Sequence, residues 1–234
     1  MSTTTLSHEI ADALRTEILS QRYRDGDRLP SERDLAARFT ASRGAVREAL
    51  SQLEQLGLIS IQPGGVRVKP VEEASIAVLG PMLTLSEEPN ILLVDQFLQT
   101  FAALSALNAR EALTIATDEQ VKQMRVMVAA VEASGTDVDT VRKEWVEFME
   151  YLAEVADNLV VRLIGNDLKS QFVNRMVKEG VQPTLKKKAI ADVVRCLSES
   201  IERRDRDLFS TAVLRYFDEI RQAVIESLNQ RMAI

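Results

Sequence analysis

A chain of 234 residues is long enough for one large domain or two small ones, and 46% hydrophobic content is ample for packed cores. A single cysteine, Cys196, excludes an internal disulfide framework and fits a reducing cytoplasm, where the chain is expected to reside. The formal net charge of −6 is unevenly spread: residues 1–70 hold 10 Lys+Arg against 9 Asp+Glu, so the acidity lies in the remainder. The start MSTTTLSHEIADALR is polar and lacks a signal-peptide apolar core. No run of about 18 or more apolar residues occurs, so neither a membrane span nor a membrane partner is expected.

Residues 6–21 place Ile10, Leu14, Ile18 and Leu19 on one stripe, which predicts a helix. Asp25-Gly26-Asp27 reads as a turn. Ser31, after Pro30, is a good N-cap for a helix over 32–39, with Asp34 in its first turn. Ser42 caps the next helix, whose inward face is Val46, Leu50 and Leu53, and Gly57 follows as a left-handed stop. Residues 58–62 and 66–69 read as strands around the turn Pro63-Gly64-Gly65. Residues 71–90 form a linker with one short helix, punctuated by Gly80-Pro81 and Pro89. From Ile91 onward the pattern is helical, with helices near 91–115, 117–133, 138–156, 158–179, 184–203 and 205–230, each break offering a cap or a stopper.

The expected architecture is therefore mainly α. A winged helix-turn-helix over 6–70 precedes an all-helical antiparallel bundle over 91–234. In a helix-turn-helix the second helix lays its N-terminal end in the DNA major groove. Here that end is Ser42-Arg43-Gly44-Ala45-Val46-Arg47. Arg43 and Arg47 are four apart and share a face. The arginine fork matches guanine O6 and N7. Gly44 and Ala45 are small enough for close backbone approach. Arg33 starts the preceding helix within reach of a phosphate or a base, and Gly64 and Gly65 form the wing. The competing reading makes these arginines solvated residues paired with Asp34 or Glu48. No Ser/His/Asp set, metal cluster or Gly-rich phosphate loop is visible, so no catalytic residue is assigned and an enzyme is not expected.

The segment resembles the GntR family of bacterial transcription regulators. The likeness is carried by Gly26–Leu29, Pro30-Ser31-Glu32-Arg33-Asp34-Leu35-Ala36, Ser42-Arg43, Val46-Arg47-Glu48-Ala49-Leu50, Leu53, Gly57-Leu58-Ile59 and the wing glycines. It implies that Arg33, Arg43 and Arg47 contact bases and phosphates and that the wing enters the minor groove. It also implies a homodimer on a near-palindromic double-stranded operator. The wing departs from the pattern, because Pro63-Gly64-Gly65 lacks a histidine found in FadR-like members.

The bundle resembles the effector domain of the FadR branch, most of whose members hold a metal with one Asp and three His. Matching by Asn158, Ile201 and Asp205 puts Trp145, Met149, Val194 and Tyr216 at those positions, and the only histidine is His8. No metal and no other cofactor is expected. Trp145 and Met149 share a helix face, while Phe172 and Tyr216 fall on later helices. With Leu104 and Phe101 they suggest an apolar, partly aromatic interior for a small-molecule effector. The metal-free FadR pattern implies a fatty acyl-CoA, although Phe101 stands where that pattern has an arginine. A regulator of an organic acid, sugar acid or amino acid, a non-sensing dimeric scaffold, and ordinary core packing of these residues are the alternatives.

Overall fold

The computed structural model describes residues 5–83, 85, 90–134, 138–170 and 185–232. The chain divides into two compact units, Met1–Glu87 and Glu88–Ile234.

The first unit begins with α1 (Leu6–Leu19), which buries Ile10, Ala11, Leu14 and Ile18 against α3. Helix α2 (Glu32–Arg38) starts at Ser31, whose hydroxyl oxygen accepts from the Asp34 N–H. It ends by closing back on itself: Ala41 N–H donates to Ala36 C=O at 2.9 Å, with Thr40 between them at φ 50°. A threonine thus holds the left-handed position that usually goes to glycine. Helix α3 (Arg43–Gln55) is capped by Ser42 and buries Val46, Ala49, Leu50 and Leu53. Strands β1 (Ile59–Gln62) and β2 (Gly65–Val68) pair antiparallel in the register Ile59↔Val68 and Gln62↔Gly65. The segment before α2 extends the sheet, because Leu29 N–H donates to Val66 C=O and Val68 N–H to Asp27 C=O, each at 2.9 Å.

The linker expectation changes in detail. After two 3-10 turns (Val71–Glu73 and Ile76–Val78) and α4 (Leu79–Met82), the chain is still part of the first unit. Val78 is buried in that unit's core, and Val71, Ala74 and Met82 pack against it.

The second unit contains α5 (Ile91–Ile115), α6 (Asp118–Ala133), α7 (Val138–Ala156), α8 (Leu159–Leu168), α9 (Lys187–Arg203) and α10 (Arg206–Met232). A reciprocal capping box between Thr117 and Gln120 opens α6, and Asn90 and Asn158 cap α5 and α8. Helix α9 stops at Arg204 in the left-handed region, and Asp205 then accepts from the N–H groups of Asp207 and Leu208. The expected helix over 158–179 is seen to Leu168, while 171–184, including the expected start of the next helix at 184, lie outside the described residues.

Helix α5 has no unbroken apolar run of about 18 residues, although by length and overall composition it is apolar enough to cross a membrane. Val94, Phe97, Leu98, Ala102, Ala106, Ala109, Ala112 and Leu113 are buried, and α5 packs against α7 and α10. Its Asp95 pairs with Arg221 of α10 at 2.7 Å. Small side chains down one side of α5 let neighbouring backbones come close, while Phe148, Leu152, Met124 and Phe209 fill the core.

Candidate functional site

The α2–α3 pair presents its arginines in three different states. Arg43 is the first residue of α3, exposed, and carries no ion pair among the described residues. Ser42 is spent on the helix end: its hydroxyl oxygen accepts from Ala45 N–H at 3.1 Å, which fixes where Arg43 emerges. Arg47, one turn on, donates its Nε–H to Glu32 Oε2 at 2.8 Å. The partner is thus Glu32 at the start of α2, where the competing reading named Asp34 or Glu48. Arg33 is 80% exposed and lies 3.6 Å from Asp34 Oδ1. Asp34 is held below the usual carboxylate range, first by the Ser31 hydroxyl that donates to it and, more weakly, by the Arg33 charge.

Gly44 and Ala45 differ in role. A Cβ on Gly44 meets only Ser42 Oγ, at 3.7 Å, so nothing inside the chain demands glycine there and its free side faces solvent. Ala45 is half-buried against the core of the first unit, so it serves packing as well as approach. Together these features place a cation, a bare backbone and a second, oriented cation within one turn at the start of a solvent-facing helix. That is the arrangement base-edge readout in the major groove requires.

The wing adds residues that the sequence pattern alone did not single out. Gly64 and Gly65 have φ of 112° and 132°, conformations that favour glycine. A Cβ on Gly64 meets nothing within 4 Å, whereas one on Gly65 lies 2.5 Å from Arg28 Nε. The Arg28 guanidinium therefore lies across the base of the wing. Arg67, bridged to Arg28 across the sheet, donates from Nη1 to Gly26 C=O at 2.9 Å. Neither arginine has a carboxylate partner among the described residues, so the wing carries cations suited to phosphate contact. The signal for them is the strand register, which depends on how residues 26–29 fold onto β2.

Beneath these helices a carboxylate clasp ties α1 to α2. Glu17 is 9% exposed and accepts from both Nη atoms of Arg38 and from Arg22 Nη1. The Arg38 hydrogen bonds hold its carboxyl below the usual range despite the opposing effect of burial. This pair holds the two helices together.

In the second unit Trp145 and Tyr216 are both buried and stack, with ring centroids 3.5 Å apart and planes at 23°. Tyr216 meets Phe217 edge-on, Phe217 meets Phe101, and Phe101 stacks on Phe97. Met149 packs against the same core, and Leu104 is half-buried on α5. Phe172 lies outside the described residues. Burial pushes the Tyr216 phenol well above its ordinary value, so it stays protonated. The Trp145 indole N–H is buried and has no acceptor among the described residues. A metal of the kind the FadR branch holds does not fit here. The two stacked rings occupy the ground between α7 and α10, and Met149 and Val194 bring no imidazole or carboxylate.

Comparison with known proteins follows the same division. Residues 6–68 match the family described as "Bacterial regulatory proteins, gntR family", and residues 96–219 match the "FCD domain". The "HTH-type transcriptional repressor NanR" of Enterobacter sp. (strain 638) is 29% identical over 163 residues, covering 68% of this chain and 62% of that protein. The protein of the same name from Escherichia coli O1:K1 / APEC is 29% identical over 167 residues, covering 68% of this chain and 61% of its own length. The chain thus matches about three fifths of these relatives. A solved structure titled "Lar controls the expression of the Listeria monocytogenes agr system and mediates virulence." shares the fold, with a TM-score of 0.52 at 15% identity over 96% of this chain and 98% of that one.

Proposed function

Because the chain belongs to the GntR family of bacterial regulatory proteins, in the branch that carries an FCD domain, we propose that it is a DNA-binding transcription regulator. In this reading two copies read a near-palindromic operator and a small molecule in the helical unit controls them. The observation that carries the reading is Arg43: an unpaired guanidinium at the first position of a capped, solvent-facing helix, with the oriented Arg47 one turn away. Selection of bound duplexes from a random-sequence pool tests it. The expected outcome is enrichment of an inverted repeat whose half-sites contain guanine. A pool that stays random after several rounds contradicts the reading.

The ligand we favour is a compact oxygen-rich metabolite, an organic acid, sugar acid or amino acid, in place of the fatty acyl-CoA that the FadR pattern implies. The support is the interior of the second unit. Stacked Trp145 and Tyr216 stand in the interior expected to be apolar and partly aromatic, and the orphaned indole N–H and the protonated phenol are donors that suit a carboxylate or carbonyl oxygen. A buried donor without a partner costs about 1–3 kcal/mol, which a ligand acceptor relieves. Ligand binding shifts operator affinity through a difference between two states, typically about 1–3 kcal/mol. Trp145 is the sole tryptophan, so its emission reports the site directly. Titration with a panel of such acids and with C8, C12 and C16 acyl-CoA is expected to move Trp145 emission only with a small acid. Trp145→Phe is expected to weaken DNA release by that acid about tenfold. A response that grows with acyl chain length instead restores the acyl-CoA reading.

A further inference from the structure

Helix α3 carries two carboxylates, Glu48 and Glu54, and they are used differently. Glu54 accepts from the Ile61 N–H at 2.7 Å and so ties the helix to β1. Glu48 is exposed and has no hydrogen bond or ion pair among the described residues. The guanidinium next to it in the chain, that of Arg47, is held by Glu32 instead. Within the described structure Glu48 therefore neutralises no arginine and fastens no element.

Its place on the helix decides what it meets. Val46, Ala49, Leu50 and Leu53 are buried and define the inward side of α3. At about 100° per residue, Gly44, Glu48 and Ser51 cluster around the opposite direction, and all three are exposed. Arg43 and Arg47 are displaced to one flank. A helix that enters the major groove with the bare backbone of Gly44 foremost brings Glu48, one turn on, to the base edges rather than to the phosphates. A carboxylate carried there loses water and offers only acceptors. Guanine presents N7 and O6 and thymine presents O4, all acceptors that repel it. Adenine sets the N7 acceptor beside its amino donor. Cytosine presents its N4 amino group with no acceptor of its own on that edge, so it is the base that a carboxylate matches.

We propose that Glu48 is a specificity-determining residue that accepts from the amino group of a cytosine in each half-site. The inference rests on the reading of α3 as the DNA-recognition helix, and it adds a base that the arginines do not read. Arginine selects guanine by attraction, whereas Glu48 selects cytosine and rejects bases that present acceptors by repulsion.

Selection of bound duplexes from a random-sequence pool, run in parallel with full-length wild type, Glu48→Ala and Glu48→Gln, tests the assignment. The wild-type motif is expected to hold one cytosine position per half-site that Glu48→Ala relaxes, with discrimination against the other bases there falling about tenfold and the remaining positions unchanged. Glu48→Gln, whose amide both donates and accepts, is expected to turn that position towards adenine. Far-UV helicity should match wild type in both, and if Glu48→Ala folds poorly the near-isosteric Glu48→Gln carries the test. A wild-type motif that both folded variants reproduce overturns the proposal and leaves the DNA reading standing. Tighter binding by Glu48→Ala to selected and scrambled duplexes alike, with no change in base preference, also overturns it, because the carboxylate then only repels phosphate. A wild-type pool that stays random sinks the DNA reading and the proposal with it.

Discussion

At the scale of single residues, the exposed cations of the first unit differ in what their carboxylate neighbours do. Glu32 does not neutralise a spare arginine but holds Arg47 by its Nε–H, leaving the far edge of the guanidinium open. Fixing a long side chain before binding removes about 0.5–1.5 kcal/mol of ordering cost. Glu32→Gln should therefore weaken binding to the selected duplex roughly fivefold without weakening binding to random duplex, as read by fluorescence anisotropy. Glu17 makes a different prediction. Its carboxyl titrates below the ordinary value of 4.5 because Arg38 hydrogen-bonds it. A depressed carboxyl stabilises the fold above pH 4.5 and loses that contribution as pH falls through the folded value. Glu17→Gln should cost the first unit about 2 kcal/mol at pH 7 in urea denaturation, and the gap to wild type should close in strong acid. The N-caps and the arginines were legible in the sequence because they depend on local spacing. The Arg47–Glu32 pair was not, since the two residues are 15 apart and meet only through the crossing of two helices.

At the scale of elements, the stops proved as informative as the starts. Gly57 was read correctly as a left-handed terminator, with φ 75°, but the structure gives it a second constraint. A Cβ there lies 2.9 Å from Glu73 C=O and 3.1 Å from Ala74 Cα, both backbone. Gly57→Ala should therefore destabilise the first unit by about 2–3 kcal/mol, seen as a lowered denaturation midpoint, because backbone cannot swing aside as a side chain can. The same contact explains why residues 71–82 belong to the first unit: Ser75 N–H donates to Leu56 C=O at 2.8 Å beside Gly57. The sequence showed only Gly and Pro punctuation there, which reads as a linker. Helix α5 was legible, with its expected bounds of 91–115 matching Ile91–Ile115. Its packing against α7 and α10 was not legible, because those contacts join residues far apart in the chain.

At the scale of the whole molecule, the division into a winged helix-turn-helix unit and a helical unit was visible in the change from Gly-punctuated strands to continuous helical periodicity. The interior of the second unit was only half legible. Residue types pointed to an aromatic core around Trp145 and Tyr216, yet nothing in their spacing indicates that the rings stack and leave the indole N–H without an acceptor. Charge followed the same pattern, with the total of −6 obscuring a first unit whose arginines surround its helix start and wing. The most direct test of the central claim, that α3 reads DNA through Arg43, compares wild-type and Arg43→Ala chains on the selected duplex and on a scrambled one across a salt series. The variant should lose roughly tenfold to hundredfold in affinity for the selected duplex while keeping weak, salt-sensitive binding to both and unchanged helicity. Wild-type discrimination between the two duplexes by Arg43→Ala contradicts the account.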